Sequence, residues 1–151
     1  AIGAVTINGE VLLDQERIRR LGISHRYLEQ EIERQQQEIN RRLAKYRGCR
    51  PFPQLKDRIV VVVDDGVATG FTIRAALGAV RKEKPRQLIL AVPVGPPQTI
   101  SSLRSQVDRL EVLATPEPFL AVAQFYKHFG QCNDTEVISL LGELTNKEEC
   151  P

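Results

Sequence analysis

The chain has 151 residues, of which 42% are apolar and 26% are charged, and its formal net charge is +2. This length suffices for one domain with a sizeable core, and the composition is that of an ordinary soluble protein. No apolar run approaches the roughly 20 residues that span a bilayer, and so small a net charge does not indicate nucleic acid as a partner.

The three cysteines, Cys49, Cys132 and Cys150, are widely spaced and fit neither a zinc motif nor a disulfide framework. We therefore expect reduced thiols in a cytoplasmic protein. We also expect neither a membrane nor a nucleic acid as a partner. The sequence contains no methionine and begins at Ala1. Because this residue is not a translation start, we expect a processed chain or part of a longer one.

The N-terminal part is predicted to form a hairpin and a short helix. Two apolar runs, Ile2–Ile7 and Glu10–Leu13, flank an Asn-Gly pair, which predicts two antiparallel strands joined by a type I′ turn. The segment Asp14–Leu21 is expected to be a short helix that ends at Gly22.

A longer helix is predicted from an N-cap at Ser24 to about Tyr46. Four apolar residues at helical spacing form its narrow buried stripe, namely Leu28, Ile32, Ile39 and Leu43. Five cations occupy its last turn and exit, namely Arg41, Arg42, Lys45, Arg47 and Arg50. Stabilisation of the helix C-terminus by these cations is the simpler interpretation, and phosphate binding is the alternative.

From Ile59 onward the pattern alternates between strands and helices. The predicted elements are a strand at Ile59–Val63, a helix at Thr72–Lys84, a strand at Leu88–Val94, a helix from Pro96, a strand at Leu110–Ala114, a helical segment at Phe119–Phe129 and a helix from an Asp134 cap to Leu144. This alternation predicts an α/β fold in which helices flank a parallel sheet with right-handed crossovers. We expect one domain over residues 1–144 and a frayed tail at 145–151.

The segment Val60–Thr72 carries the clearest chemistry. Four valines predict a buried strand, which ends in two carboxylates, Asp64 and Asp65. Ligands of open α/β sheets bind beyond the carboxyl ends of the strands. Two carboxylates there suit the vicinal hydroxyls of a ribose, because a hydrogen bond to a charged group contributes about 1.5–3 kcal/mol. The alternative is structural, with the aspartates acting only as helix caps.

The turn that follows suits a phosphate. Gly66 and Gly70 permit positive φ and close backbone approach. The N–H groups of Ala68, Thr69 and Gly70 are expected to point into one concavity, with the hydroxyls of Thr69 and Thr72 as further donors. The helix that begins near Thr72 directs the positive end of its dipole at the same place.

These thirteen residues resemble the PRPP-binding signature of type I phosphoribosyltransferases, in which a hydrophobic strand and two acids precede a small-residue loop with Thr-Gly-x-Thr (PRPP is 5-phosphoribosyl 1-pyrophosphate). The resemblance implies a Rossmann-like fold and a transferase that moves ribose 5-phosphate from PRPP to a nitrogenous base or a related acceptor. It implies catalytic roles for Asp64 and Asp65 at the ribose hydroxyls. The implied substrate-binding residues are Asp64, Asp65, Gly66, Val67, Ala68, Thr69, Gly70 and Thr72. Mg²⁺ is implied through the pyrophosphate of PRPP, with no metal ligands from the protein.

More of the chain resembles a poorly characterised bacterial group of such transferases, through Ala1–Val5, residues 46–48, Val92–Pro97 and Thr115–Phe119. Enzymes for 6-oxopurines usually have an acid where this chain has Ala68, so that substrate class is disfavoured.

The fold of this family normally includes an earlier strand whose end forms a pyrophosphate-binding loop, and we expect that unit to be absent here. Another polypeptide, a rearranged sheet or self-association as a homodimer or other oligomer would then cover the gap. The alternatives to an enzyme are a non-catalytic module that binds PRPP or a nucleotide, and a fragment of a longer enzyme.

Overall fold

The fold is that of a computed structural model, which describes residues 2–48 and 50–145. Cys49, Cys150 and the predicted tail from residue 146 lie outside these residues. The chain begins with strands β1 (Gly3–Val5) and β2 (Val11–Leu13), which pair in antiparallel orientation as predicted. No helix in the described parts of the chain is both long and apolar enough to cross a membrane.

The predicted type I′ turn between β1 and β2 is wrong. That turn needs positive φ at both Asn8 and Gly9, and only Gly9 has it, at 79°. The Gly9 N–H instead donates to the Thr6 carbonyl at 3.0 Å, so the loop contains one residue more. The buried Thr6 hydroxyl stabilises this longer loop by accepting a hydrogen bond from the Glu10 N–H at 3.0 Å.

Helices α1 (Gln15–Leu21) and α2 (His25–Arg47) follow the hairpin, and their predicted caps are confirmed. The Ser24 hydroxyl accepts a hydrogen bond from the Tyr27 N–H at 3.3 Å, and Gly22 ends α1 in the left-handed conformation. The predicted apolar stripe of α2 faces inward, with Leu28 buried and its other three members half-buried.

A parallel sheet with the order β3-β4-β5 forms the second half of the fold. Its strands and helices are β3 (Ile59–Val63), α3 (Phe71–Lys82), β4 (Gln87–Val94), α4 (Pro97–Leu103) and β5 (Arg109–Ala114). Val62, Leu90 and Leu110 are in register across the three strands. The core lies between this sheet and the two helices, where Leu77, Leu88 and Leu103 are almost fully buried.

The expectation that β3 is a buried strand is only half right. Val60 and Val62 pack against the core, whereas Val61 and Val63 are 52% and 69% exposed. Successive side chains of a strand point to opposite faces, and the core occupies one of those faces. Among the described strands β3 pairs only with β4, so it is an edge strand of this sheet.

Two predictions about the C-terminal part are wrong. The segment Phe119–Phe129 contains only a short 3-10 helix at Val122–Phe125 rather than a longer helix. The last helix, α5 (Asp134–Thr145), is capped by Asn133 and not by Asp134. The Asn133 side chain accepts a hydrogen bond from the Glu136 N–H at 3.0 Å, and the Glu136 carboxylate accepts one from the Asn133 N–H at 2.7 Å.

Asp134 instead joins α5 to the C-terminal part of α2. Its carboxylate accepts hydrogen bonds from Arg41 at 2.7 Å, from Lys45 at 2.8 Å and from the Tyr46 hydroxyl. These three donors hold the pKa of Asp134 far below its usual range. Two of the five cations singled out in the sequence, Arg41 and Lys45, therefore bind the Asp134 carboxylate.

We expect Asp134→Asn to destabilise the attachment of α5 at neutral pH. An Asp with a lowered pKa stabilises the folded state above its unfolded pKa, near 3.8 here, and the contribution is lost as the pH falls through the folded pKa. Amide hydrogen exchange in α5 should therefore be faster in the variant at pH 7. In urea titrations the stability difference from the original chain should shrink below pH 4. Equal exchange rates at pH 7 would contradict the prediction, and Asp57→Asn at an exposed position is the control.

Candidate functional site

The acidic pair lies at the carboxyl end of β3, as predicted. Asp64 lines a cavity of about 230 Å³ together with residues 66–73 and Val122. Asp65 follows Asp64 directly but is not among the residues that line this cavity. The structure therefore brings one carboxylate together with the whole Gly-containing loop and leaves the second beside the rim.

Partial removal of Asp64 from water raises the pKa of its carboxyl group, and the neighbouring charge of Asp65 raises it further. A hydrogen bond from the Asp65 N–H to the Asp64 carboxylate, at 3.0 Å, partly offsets this shift.

The loop presents unpaired donors. Within the described chain, the backbone N–H groups of Ala68, Thr69 and Gly70 have no hydrogen-bond partner, and neither do the hydroxyls of Thr69 and Thr72. Helix α3 begins immediately afterwards, at Phe71 rather than at Thr72, and its N-terminus carries partial positive charge. Free N–H groups at a helix N-terminus form an anion site.

The two glycines of the loop serve different purposes. Gly70 has φ of 80° and is the N-cap of α3, so it uses the conformational freedom of glycine. Gly66, which was also expected to permit positive φ, does not have it. It is needed for space, because a Cβ atom there would lie 2.7 Å from Val122 and 3.0 Å from Val94.

Two downstream side chains hold this loop from outside the cavity. The Thr99 hydroxyl in α4 donates to the Ala68 carbonyl at 3.0 Å, and the Tyr126 hydroxyl donates to the Asp65 carbonyl at 2.6 Å. Sequence reasoning missed both, because 31 and 61 residues separate the partners. No local pattern signals such contacts, which depend on how the β4–α4 unit and the segment after β5 pack.

The remaining cations of α2 do not line this cavity. Arg42 binds Glu38 at 2.7 Å, whereas Arg47 and Arg50 donate to backbone carbonyls. In the described part of the chain, no three His, Cys, Asp or Glu residues converge in a way that could hold a metal ion.

The chain is similar in sequence to known proteins. Residues 15–125 match the phosphoribosyl transferase domain. The chain belongs to the phosphoribosyl transferase domain family. Relatives in two strains of Mycobacterium tuberculosis, CDC 1551 and H37Rv, carry the name "Putative phosphoribosyl transferase" and are each 35% identical to this chain over 141 residues. The match covers 93% of this chain but only 32% of the relatives, so the chain spans about a third of their length.

Similarity to a solved structure supports the fold. The crystal structure of TT1426 from Thermus thermophilus is 39% identical in sequence and superposes with a TM-score of 0.71. The match covers 95% of this chain and 67% of that one. The resemblance to type I phosphoribosyltransferases and the α/β class with flanking helices are therefore confirmed.

Proposed function

We propose that this chain binds PRPP together with Mg²⁺ and transfers its ribose 5-phosphate to a nitrogen atom of a base. One observation carries the proposal, namely that Asp64 and residues 68–70, whose backbone N–H groups have no partner in the described chain, line a single small cavity. A carboxylate recognises hydroxyl groups and a set of free N–H groups recognises a phosphate. Ribose 5-phosphate carries both within one molecule.

In this proposal the loop binds the 5′-phosphate and the acidic pair binds the ribose 2′- and 3′-hydroxyls. The bond between ribose C1 and the pyrophosphate oxygen breaks, and the electron pair leaves with pyrophosphate. A bond forms between C1 and the acceptor nitrogen, whose proton passes to solvent. Positive charge develops on the ribose meanwhile, and the carboxylates of Asp64 and Asp65 stabilise it electrostatically.

The residues present suit a magnesium ion that arrives with the substrate. Mg²⁺ usually keeps several waters and binds substrate phosphates, so the pyrophosphate of PRPP would carry it into the site without a metal ligand from the protein, and the negative charge of Asp64 and Asp65 would favour a cation nearby. The ion would neutralise charge on the pyrophosphate. The chain itself supplies orientation, because the loop fixes the phosphate end of the sugar and thereby the position of C1.

The second candidate function is binding of PRPP or a nucleotide without turnover. The side chain of Ala68 favours it, because a methyl group on the phosphate loop cannot transfer a proton to or from a base.

Calorimetric titration of PRPP, with and without Mg²⁺, tests the binding step. We expect Asp64→Asn to weaken binding at least tenfold, because hydrogen bonds to charged groups contribute about 1.5–3 kcal/mol. Asp65→Asn should weaken it as well. Asp57→Asn is the matched control, since Asp57 is exposed near the opposite end of β3 and its φ of 59° also suits asparagine.

Pyrophosphate release over a panel of nitrogenous bases then separates the two candidates. Turnover with one of the bases supports the transferase. Tight Mg²⁺-dependent binding without release supports the binding module. The proposed site would be contradicted if the unmodified chain did not bind PRPP. It would also be contradicted if Asp64→Asn and Asp65→Asn both bound PRPP as tightly as the unmodified chain.

A further inference from the structure

The stretch between Val67 and Gly70 has few attachments to the rest of the fold. At one end the Val67 N–H donates to the Val94 carbonyl at 2.8 Å, and at the other the Gly70 carbonyl accepts the first hydrogen bond of α3, from Arg74 at 2.9 Å. Ala68 and Thr69, between these ends, are exposed. Their one hydrogen bond within the described chain joins the Ala68 carbonyl to the Thr99 hydroxyl.

That hydrogen bond fixes the orientation of a whole peptide group. The carbonyl of Ala68 and the N–H of Thr69 belong to one planar trans peptide, so they point in opposite directions. Thr99 does not line the cavity, whereas Ala68 and Thr69 do. Holding the carbonyl toward α4 therefore turns the N–H of Thr69, a residue that lines the cavity, away from α4.

The methyl group of Thr99 makes a second contact with the loop. It lies 2.9 Å from the place where a Cβ atom on Gly70 would be, so it packs closely against the glycine that begins α3. The side chain is itself half-buried at the first turn of α4. One residue of α4 thus contacts the loop on both sides of Thr69.

We propose that Thr99 is a positioning residue for the phosphate site, acting through the Ala68–Thr69 peptide. The inference rests on the proposed function, because it assumes that the loop binds the 5′-phosphate. Without the Thr99 hydroxyl this peptide can rotate, and the loop then presents one donor fewer in a fixed direction. The expected consequence is weaker binding of the phosphate end of the ligand with no loss of the fold.

The test uses ribose 5-phosphate as the probe and compares Thr99→Val with Thr99→Ser. Valine keeps the shape but lacks the hydroxyl, and serine keeps the hydroxyl but lacks the methyl. We expect Thr99→Val to raise the Kd roughly threefold to tenfold, as for loss of one neutral hydrogen bond. Thr99→Ser should bind like the original chain, and so should Thr135→Val, an exposed control in α5.

Nuclear magnetic resonance gives a readout that a merely structural role would not change. In ¹H–¹⁵N spectra, ribose 5-phosphate should shift the Thr69 amide strongly in the original chain and in Thr99→Ser. The shift should be much smaller in Thr99→Val, while the rest of the spectrum stays native.

The outcomes separate the two hypotheses. If the original chain does not bind ribose 5-phosphate, the proposed function fails, and this inference fails with it. If the original chain binds and Thr99→Val binds equally well, with the same Thr69 shift, only the role of Thr99 is overturned. Weaker binding by Thr99→Ser together with unchanged binding by Thr99→Val would assign the effect to the methyl contact and would likewise reject the hydroxyl mechanism.

Discussion

Replacing Leu90 with alanine is expected to lower the free energy of unfolding by about 2–5 kcal/mol. Leu90 lies on the middle strand of the parallel sheet, has no exposed surface and is in register with Val62 and Leu110. Truncation removes apolar contacts and leaves a cavity between the sheet and its two helices, where packing from both neighbouring strands limits collapse. Urea unfolding followed by circular dichroism measures the change.

Leu113→Ala is the matched control, because Leu113 lies on the neighbouring strand and is 86% exposed. Its effect should stay within about 0.5 kcal/mol, as for most surface substitutions. Similar losses in the two variants would show that the core does not lie on the α3 and α4 side of the sheet. Since domains are stable by only about 5–15 kcal/mol, the Leu90 variant should unfold at a markedly lower urea concentration.

The alternating half of the fold could be predicted because its signals are local and strong. Continuous apolar runs mark β3, β4 and β5, and Pro85 enforces the end of the helix between the first two. Right-handed crossovers then fix the handedness of each strand–helix–strand unit, although they do not fix the order of the strands in the sheet. The observed strand bounds differ from the predicted ones by no more than one residue.

The wrong predictions concern features that depend on residues distant in sequence. Asp134 is a good cap by residue type, yet three donors from α2 bind its carboxylate and leave the cap to Asn133. The apolar pattern of β3 indicates burial, but it cannot tell whether one or both faces of the strand are covered.

The candidate site likewise combines groups that lie close together in the sequence with groups from distant elements. Its carboxylate and its free N–H groups fall within seven consecutive residues, so one motif in the sequence contains them. Its supports do not, because Thr99 and Tyr126 approach from other elements and act on carbonyl groups that carry no sequence signal. A sequence motif can therefore identify the groups that would contact a ligand, but it does not identify the side chains that orient those groups.

Gly70→Ala is expected to weaken ribose 5-phosphate binding at least tenfold while lowering stability by only about 1–2 kcal/mol. Gly70 has φ of 80°, and the left-handed conformation costs a residue with a Cβ atom roughly 1–2 kcal/mol. The new Cβ would also lie 2.9 Å from the Thr99 methyl group. The loop can relieve both strains only by rotating the peptides whose N–H groups face the ligand, so binding should suffer more than folding.

Gly78→Ala provides the control within the same helix. Gly78 is exposed in the interior of α3, and a Cβ there would meet no atom within 4 Å. This variant should gain about 0.5–1 kcal/mol of stability, because alanine favours the helix, and should bind ribose 5-phosphate unchanged. Calorimetry and urea unfolding on both variants make the comparison. If Gly70→Ala bound ribose 5-phosphate normally, the conformation of this loop would not determine anion recognition. The same would follow if its loss of binding were no greater than its loss of stability explains.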